Sequence, residues 1–319
     1  MKRLLLVSIF LASCNLPAQS AVSTATVLPV TPTPEATIVL PSDTPLPTFT
    51  PLPPTQTPTS TPIPCDPVSA EYCITEGNFI FQRPILVPDN DKADISYLYA
   101  STQNGKRDPH HGVEFQNPFG TQVHAAGAGT VVFADSDKTT KFSPWNNFYG
   151  NVIILQHANE VYTLYAHLSS ISVVIGQRVQ TGDALGQVGS TGGATGPHLH
   201  FEVRMGGDYT DYFSTQNPEL WLMPQPGMGA LSITFRSKEE RNYERPMVIT
   251  RLADSTNDGL FTYYLTSYAK GFEHNAEDAV LNSLPAGRYK IAFNDSSGLR
   301  ERIVIVEAGK LTETIFEVK

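Results

Sequence analysis

The chain has 319 residues, which is enough for about two domains. It carries 22 Lys and Arg against 31 Asp and Glu, a formal net charge of −9, and this acidic excess argues against nucleic-acid partners, whose phosphates are bound mainly by basic side chains. No apolar run reaches the roughly 18–20 residues that a membrane-spanning helix requires, and the 23 Gly and 25 Pro favour strands and turns over helical bundles.

The N-terminus has the pattern of an export signal. Two basic residues precede an apolar run over residues 4–13, which is too short to span a bilayer as a folded helix. The run ends in the sequence LASC, which resembles a bacterial lipobox and implies that residues 1–14 are a lipoprotein signal peptide with Cys14 lipidated. Because a diacylated or triacylated cysteine anchors stably, we expect an exported protein held to the bacterial membrane by its lipid only, facing the cell wall or periplasm. The alternative is an ordinary signal peptide with an incidental cysteine.

Residues 15–64 have the composition of a linker. Twelve Pro and twelve Thr lie between Thr24 and Pro64, with Glu35 and Asp43 as the charged residues of that stretch. So few large apolar side chains cannot offset the entropy of ordering, so the segment is predicted to be disordered. A chain of this length reaches about 40 Å as a coil and about 150 Å as a polyproline helix, far enough to place a following domain inside a polymer that covers the membrane.

Cys65 and Cys73 are the two remaining cysteines once Cys14 is assigned to the lipid. An even pair in an exported protein predicts a disulfide. In the chain-entropy model, closing so short a loop stabilises the fold by roughly 2.5 kcal/mol. A two-cysteine metal site is the alternative, although no histidine lies near either residue in sequence.

The middle of the chain predicts an antiparallel all-β domain. Short runs of β-branched and aromatic residues recur at 129–134, 151–156 and 161–166, and the last two are separated by a turn at 158–160 that predicts a hairpin. No segment between 78 and 205 has a 3.6-residue apolar period.

Seven of the eight histidines lie between His110 and His200, which places the chemistry in this domain. On a strand, His198 and His200 point to the same face, and Glu202 follows on that face. A glycine-rich turn at 189–197 leads into this strand, at the edge of a cleft.

Two further segments supply similar side chains. His110 and Glu114 flank a bend at Gly112, and His167 lies at the end of a predicted strand. Three nitrogen or oxygen ligands with an open fourth position are typical of a catalytic zinc site, and the remaining histidines can then transfer protons.

Three segments carry a family resemblance: PHHGVEF at 109–115, YAHL at 165–168 and GPHLHFE at 196–202. Together they resemble the lysostaphin/LytM-type zinc metallopeptidases, with further matches at 120–126 and 182–186, and the resemblance covers roughly residues 79–225. It implies a compact antiparallel β-sheet fold, similar to a barrel-sandwich hybrid. It also implies hydrolysis of peptide bonds in bacterial peptidoglycan with one zinc ion per chain.

The resemblance also implies roles for individual residues. His110 and His200 match the first and last zinc ligands of the family, and His167 and His198 match its two catalytic histidines that do not bind the metal. Glu114 stands where the family usually has an aspartate ligand. Its extra methylene moves the carboxylate by more than about 1 Å, although a glutamate oxygen binds zinc at the same distance as an aspartate oxygen.

Glu114 therefore leaves two functions open. We expect a working ligand, with Gly112 absorbing the difference in length, and hence a zinc-dependent endopeptidase that cuts peptide cross-links of peptidoglycan. The alternative is a metal-poor, catalytically inactive relative that binds wall peptide or regulates another cell-wall hydrolase. A lipoyl-type carrier, suggested by residues 176–186, is discounted because it needs a modifiable lysine and none lies between Lys141 and Lys238.

Several neighbours are candidates for supporting roles. Glu202 either orients a histidine ligand from behind or forms a cross-strand ion pair. Tyr149 and Tyr165 are candidates for the same support behind the ligands or for the wall of the groove. The long loop 136–148 is a candidate groove wall, or else a surface insertion. The other histidines are expected to have ordinary roles: His111 as a solvated neighbour of the ligand, unless it exchanges roles with His110, and His124 and His157 as strand residues with satisfied ring nitrogens.

The C-terminal part predicts a second domain. The metallopeptidase domain is assigned to residues 65–226, and a Pro- and Gly-containing hinge ends it. Residues 228–319 contain six candidate strands at the spacing of a small β-sandwich: 231–235, 247–251, 261–265, 288–293, 302–306 and 312–318. With no cluster of catalytic residues in it, this domain is predicted to be structural or to contact the wall.

Overall fold

The structure, a computed structural model, describes residues 65–237 and 243–318. The predicted signal peptide, the predicted lipidation site at Cys14 and the predicted linker at 15–64 lie outside the described residues. Among those that are described, no helix has the length and apolar character to cross a membrane.

The described residues form eighteen strands and three short 3-10 helices, and the predicted all-β class is confirmed. The 3-10 helices are Ala158–Glu160, Tyr212–Ser214 and Pro218–Leu220. The strands are β1 (Cys73–Thr75), β2 (Val113–Gln116), β3 (Gln122–His124), β4 (Gly129–Ser136), β5 (Asn151–Gln156), β6 (Val161–Ala166), β7 (Ser170–Ile171), β8 (Arg178–Val179), β9 (Ala184–Gln187), β10 (His198–Met205), β11 (Thr215–Gln216), β12 (Met228–Ser237), β13 (Pro246–Leu252), β14 (Gly259–Thr266), β15 (Ala279–Pro285), β16 (Gly287–Asp295), β17 (Gly298–Val306) and β18 (Leu311–Val318).

The first half is built on a seven-stranded antiparallel sheet with the order β11-β10-β6-β5-β4-β8, in which β2 also pairs with β10. A three-stranded sheet, β3-β9-β7, completes this half. The predicted hairpin is present, because β5 and β6 pair antiparallel and are joined by the first 3-10 helix.

Strand β10 is buried on both faces over seven of its eight residues. Leu199, Phe201 and Val203 point into the main apolar core. The alternate residues point to the opposite face, which is covered by a second cluster that includes Phe142 and Tyr149. Because buried polar groups must be paired, the polar residues of this second face have to find partners within the protein.

The second half is a sandwich of two four-stranded sheets, β1-β18-β12-β15 and β14-β13-β16-β17. Their facing sides share one core, which includes Leu231, Ile249, Ile291 and Phe316. All pairings are antiparallel except the β12–β18 ladder, which is parallel.

The disulfide between Cys65 and Cys73 is formed, and Cys73 begins strand β1, which pairs with β18. The residues at the start of the described chain thus belong to a sheet of the C-terminal sandwich. From there the chain crosses to the seven-stranded sheet, so the sandwich receives strands from both ends of the described chain.

Candidate metal centre and active site

The register of strand β10 brings two distant segments together. His200 lies opposite Glu114 of β2 on one side and opposite Ala166 of β6 on the other, so His167 follows directly beside it. Gly112 allows the close approach of the two segments. A Cβ atom there would lie 2.4 Å from the carbonyl oxygen of Phe201 and 2.9 Å from the His200 ring, so any other residue would force the segments apart.

The three predicted zinc ligands converge. His110 Nε2 lies 3.2 Å from His200 Nδ1 and 3.9 Å from Glu114 Oε1. The donor atoms of all three residues lie within 4.8 Å of one another, so they form a possible metal site. Donors about 2.0 Å from a tetrahedral zinc ion are about 3.3 Å apart, and the two histidine nitrogens, 3.2 Å apart, match that separation.

Hydrogen bonds on the far side of each ring decide which nitrogens face the site. His110 Nδ1 lies 2.9 Å from the carbonyl oxygen of Tyr97, and His200 Nε2 lies 3.0 Å from a carboxylate oxygen of Glu202. Both acceptors lack hydrogens, so both ring nitrogens must donate. The other nitrogen of each neutral ring then carries a lone pair.

Two nitrogen lone pairs therefore face each other at 3.2 Å in a buried site. Burial, reinforced by the neighbouring His200, holds the pKa of His110 well below its ordinary value, so a proton does not relieve the contact near neutral pH. A cation between the two nitrogens relieves the repulsion between their lone pairs, and imidazole nitrogens are good zinc ligands. The donor chemistry thus fits the predicted zinc cofactor.

Glu114 is oriented by a neighbour on its own strand. Gln116 Nε2 donates to Glu114 Oε2 at 2.9 Å, and this leaves Oε1 directed toward the histidines, 3.6 Å from His198 Nε2. The longer side chain is thus held with one carboxylate oxygen at the donor cluster.

His167 and His198 lie beside the three donors with their ring centroids 4.8 Å apart. Their Nδ1 atoms donate to the carbonyl oxygens of Thr191 and Gly196, each at 2.9 Å, so each Nε2 carries a lone pair. Burial, with the neighbouring His200 and His198, lowers the pKa of His167 to about 3. His167 has a backbone φ of 62°, in the left-handed region that a residue with a Cβ rarely adopts, and such strain is common at functional sites.

Glu202 connects the metal centre to a buried arginine. Its carboxylate accepts from His200 Nε2, from Arg204 Nε at 2.8 Å and from the Tyr149 hydroxyl at 2.6 Å. All three partners of the carboxylate are buried. Burial alone would raise the pKa of Glu202, but the Arg204 charge and these hydrogen bonds lower it below the usual range of a carboxyl group. Glu202 therefore orients His200, and its ion pair is formed along its own strand, two residues away, rather than across strands.

Residues 108–212 match the sequence model of Peptidase family M23. The middle of the chain is an M23 peptidase domain. The predicted family resemblance is thereby confirmed.

Curated relatives also match, over about a third of the chain. Over 120 residues the chain is 38% identical to the peptidoglycan DD-endopeptidase ShyA of Vibrio cholerae, covering 38% of this chain and 26% of that protein. Over 109 residues it is 40% identical to the DD-carboxypeptidase/endopeptidase Mpg of Neisseria meningitidis, covering 34% of this chain and 23% of that protein. The chain thus spans about a quarter of the length of these relatives.

Among solved structures, a variant of the catalytic domain of the prophage-encoded M23 protein EnpA from Enterococcus faecalis aligns with 27% identity and a TM-score of 0.37. The alignment covers 44% of this chain and 95% of that domain.

The donors and the two further histidines line one cleft of the M23 domain, with a volume of about 310 Å³. Trp145 and Phe148 of the loop at 136–148 form part of its wall, as predicted for this loop, and Tyr97, Arg107 and Tyr212 form other parts. The wall is therefore largely aromatic around a polar floor.

Neither tyrosine lines the groove, but Tyr149 has the other role predicted for it, behind the ligands. Tyr165 is fully buried in the main core, packs against Phe201, and its hydroxyl accepts from the Ala126 amide. Strand alternation explains the error, because Tyr165 lies opposite Phe201 and shares its face, away from His200. Tyr149 is also fully buried and supports Glu202 from behind the site.

His111 is buried rather than solvated, which corrects the sequence-based expectation. Its Nδ1 lies 3.2 Å from the Thr215 hydroxyl, its ring packs against Tyr212, and burial lowers its pKa to about 4. It is not one of the converging donors, so His110 occupies the ligand position. His157 has both ring nitrogens paired, as predicted, but it lies just after β5 rather than in a strand. His124 lies in β3, and its Nδ1 donates to the Gly182 carbonyl oxygen.

The cleft wall rests partly on the sandwich. Phe272, in the loop between β14 and β15, has its ring centroid 4.8 Å from that of His111, and His274 Nε2 lies 2.6 Å from the Thr215 carbonyl oxygen. Tyr99 donates to the same carbonyl oxygen at 2.7 Å. Thr215 in turn contacts His111, so the sandwich helps to position this wall.

Sequence reasoning missed several supporting residues. Arg204 follows Glu202 with the same period of two that places His198 and His200 on one face, so that signal was present. The roles of Tyr97, Thr215 and Phe272 depend on contacts between distant segments and leave no local pattern.

Proposed function

We propose that the protein is a zinc-dependent endopeptidase that hydrolyses peptide cross-links of bacterial peptidoglycan. The observation that carries the proposal is the pair of facing lone pairs on His110 and His200, with the Glu114 carboxylate beside them. The peptidase family match and the activities for which ShyA and Mpg are named support the reaction and the target polymer.

The residues of the cleft can take separate roles in hydrolysis. When bound by His110, Glu114 and His200, zinc polarises the scissile carbonyl and lowers the pKa of the attacking water. His167 and His198 present Nε2 lone pairs at the cleft. One of them accepts the proton of the water, and the imidazolium so formed then donates from Nε2 and stabilises the developing oxyanion.

We also propose that the protein acts outside the cytoplasm, anchored by lipid at Cys14. The support is the sequence alone: the short apolar run that ends in LASC, and the Pro- and Thr-rich segment behind it. Labelling of growing cells with a fatty-acid analogue tests this, because the wild-type protein should take up the label and a Cys14→Ser variant should not.

Zinc content and peptidoglycan hydrolysis, measured on the same preparations, test the enzymatic proposal. The purified protein is compared with His200→Ala, Glu114→Ala and Glu114→Asp. We expect about one zinc per wild-type chain and release of peptide products from peptidoglycan. Both should be lost in His200→Ala and Glu114→Ala.

Glu114→Asp distinguishes the enzyme from its inactive alternative. If Glu114 is a working ligand, the shorter side chain leaves zinc binding and hydrolysis similar or lowers them. A wild-type protein without zinc or activity, together with a Glu114→Asp variant that gains both, would establish an inactive relative that binds wall peptide or regulates another hydrolase.

A further inference from the structure

A second, larger cavity lies outside the catalytic cleft. It has a volume of about 640 Å³ and is lined by the loop at 95–106, by residues of the sheet β14-β13-β16-β17 and by the first residues of β15. We call this cavity the sandwich groove.

Part of the lining of the sandwich groove is an apolar floor. Val248 of β13 lies opposite Ala292 of β16, and Tyr264 of β14 lies opposite Val248 on the other side. The Tyr264 side chain is 78% exposed, and Leu299 of β17, also in the lining, is 63% exposed. The side chains of Val248 and Ala292 thus lie between the larger, exposed side chains of Tyr264 and Leu299.

The wall of the groove is polar and nearly uncharged. Hydroxyl and amide side chains line it: Ser96, Ser101, Gln103, Asn104, Thr266 and Asn294. Lys106 is the one charged residue of the lining, and no carboxylate is among the lining residues. Among described residues, no hydrogen bond or ion pair is formed by the Lys106 ammonium or by the side-chain amides of Asn104 and Asn294, so these groups are available to a ligand.

This chemistry matches a saccharide. A pyranose ring has an apolar C–H face that packs on an aromatic or aliphatic floor, and its hydroxyl and acetamido groups bond to amides and hydroxyls. A single lysine does not suit nucleic acid, whose binding requires many phosphate contacts. The lack of carboxylates does not suit a metal ion.

The groove shares a wall with the catalytic cleft. Ser96 and Leu98 line the groove, and Tyr97 between them lines the cleft. The pattern repeats at Lys106, which lines the groove, and Arg107, which lines the cleft. One segment therefore presents residues to both sites, so a polymer of saccharide strands with attached peptides can reach both.

We propose that the sandwich groove binds the glycan strand of peptidoglycan while its peptide occupies the catalytic cleft. The choice of glycan rests on the proposed function. The binding itself is measurable without any hydrolysis.

The test measures binding of the full protein to two probes. One is peptidoglycan glycan strands freed of peptide by an amidase, and the other is a cross-linked peptide dimer without sugars. Wild type is compared with Tyr264→Ala and with Phe119→Ala as a matched control, because Phe119 is 67% exposed and is not in the groove lining. Melting temperatures of the variants verify that the fold is intact.

We expect Tyr264→Ala to weaken binding to glycan strands at least fivefold and Phe119→Ala to leave it unchanged. Tyr264→Ala should also lose more activity on intact peptidoglycan than on the peptide dimer. Three outcomes would each overturn the proposal: no measurable glycan binding by wild type, equal glycan binding by wild type and Tyr264→Ala, or a Tyr264→Ala defect confined to the peptide dimer. Glycan binding with no hydrolysis would instead overturn the proposed enzymatic function and leave the groove assignment standing.

Discussion

The two halves of the molecule are built from the same kind of strand but bury it differently. In the M23 sheet, β10 is covered on both faces, although it carries His198, His200, Glu202 and Arg204. In the sandwich, β14 is buried at a single position and leaves most of its side chains exposed. A strand that is buried on both faces and rich in ionisable residues indicates a site, whereas a strand with one buried position and mostly exposed side chains indicates a scaffold.

Ion pairs show the same difference. Glu202 and Arg204 are both completely buried and are linked to a histidine of the metal centre. Lys290 and Glu301 of the sandwich pair at 3.1 Å with side chains that are 38% and 45% exposed. A buried pair must be complete, because removing one partner leaves an uncompensated charge, whereas an exposed pair contributes little.

Several contacts nevertheless join the halves, and two of them bear on the cleft wall and on the last 3-10 helix. The loop that carries Phe272 supports the cleft wall at His111. The 3-10 helix at Pro218–Leu220 meets β15, where Asn282 Nδ2 donates to the carbonyl oxygens of Glu219 and Leu222. Substitutions at these joints and within each half can test whether the M23 half carries the site and the sandwich serves as its scaffold.

The largest expected effect is on catalysis, from a cleft histidine that is not among the metal donors. His198→Ala should lower kcat/KM by about 10²–10⁴, the usual contribution of a positioned acid or base, and should retain about one zinc per chain. His124→Ala, in the separate three-stranded sheet, is the control and should change activity less than twofold. Loss of zinc together with activity would mean that His198 belongs to the donor set instead.

The next effect concerns the buried carboxylate. Glu202→Gln should lower the free energy of unfolding by about 3–5 kcal/mol, because the Arg204 charge loses its partner without access to water. Glu301→Gln in the sandwich is the matched control, with an expected change of about 0–1 kcal/mol. Urea unfolding of both variants at the same zinc concentration measures the difference, and equal losses would contradict the contrast between the two halves.

Much of the M23 site was predictable because the geometry of a strand has a period of two. That period placed His198, His200 and Glu202 on one face, and the structure has them on one strand with that alternation. The same rule, applied more strictly, would have added Arg204 to this face and removed Tyr165 from the groove. Those two errors were avoidable from the sequence.

Other features have no local signal. The choice between His110 and His111 is made by the Tyr97 carbonyl and the Thr215 hydroxyl, which only the fold brings to these rings. Strand β15 was not among the predicted strands, because its sequence AVLNSLP ends in residues typical of turns. The contacts of Asn282 with the 3-10 helix are tertiary and override that preference.

A smaller effect should test the first joint. Phe272→Ala removes a buried ring that contacts His111 and Tyr99, and truncation of a buried phenylalanine costs about 3–5 kcal/mol. We expect the low end, about 3 kcal/mol, since the loop lies at the edge of the fold and can relax. Because the cleft wall moves while the metal donors do not, KM should rise and zinc content should stay the same. An unchanged KM would show that the sandwich supports stability alone.

The second joint should make stability depend on pH. Glu219 is buried, with one carboxylate oxygen lacking a hydrogen-bond partner, and burial raises its pKa from 4.5 to about 7 despite the nearby Arg83 charge. Between these two values the folded protein holds a proton that the unfolded chain has released. The free energy of unfolding should therefore fall as the pH rises through this window and level off above it.

Glu219→Gln should remove that dependence, because an amide does not titrate. Between pH 5 and pH 7.5, wild type should lose about 2–3 kcal/mol more stability than the variant. Comparing the two proteins cancels the pH dependence of zinc binding, since both have the same donors. If the free energies of unfolding of wild type and Glu219→Gln changed with pH in parallel, Arg83 would be keeping Glu219 ionised in the folded state. The second joint would then be held by a buried ion pair whose strength does not change across neutral pH.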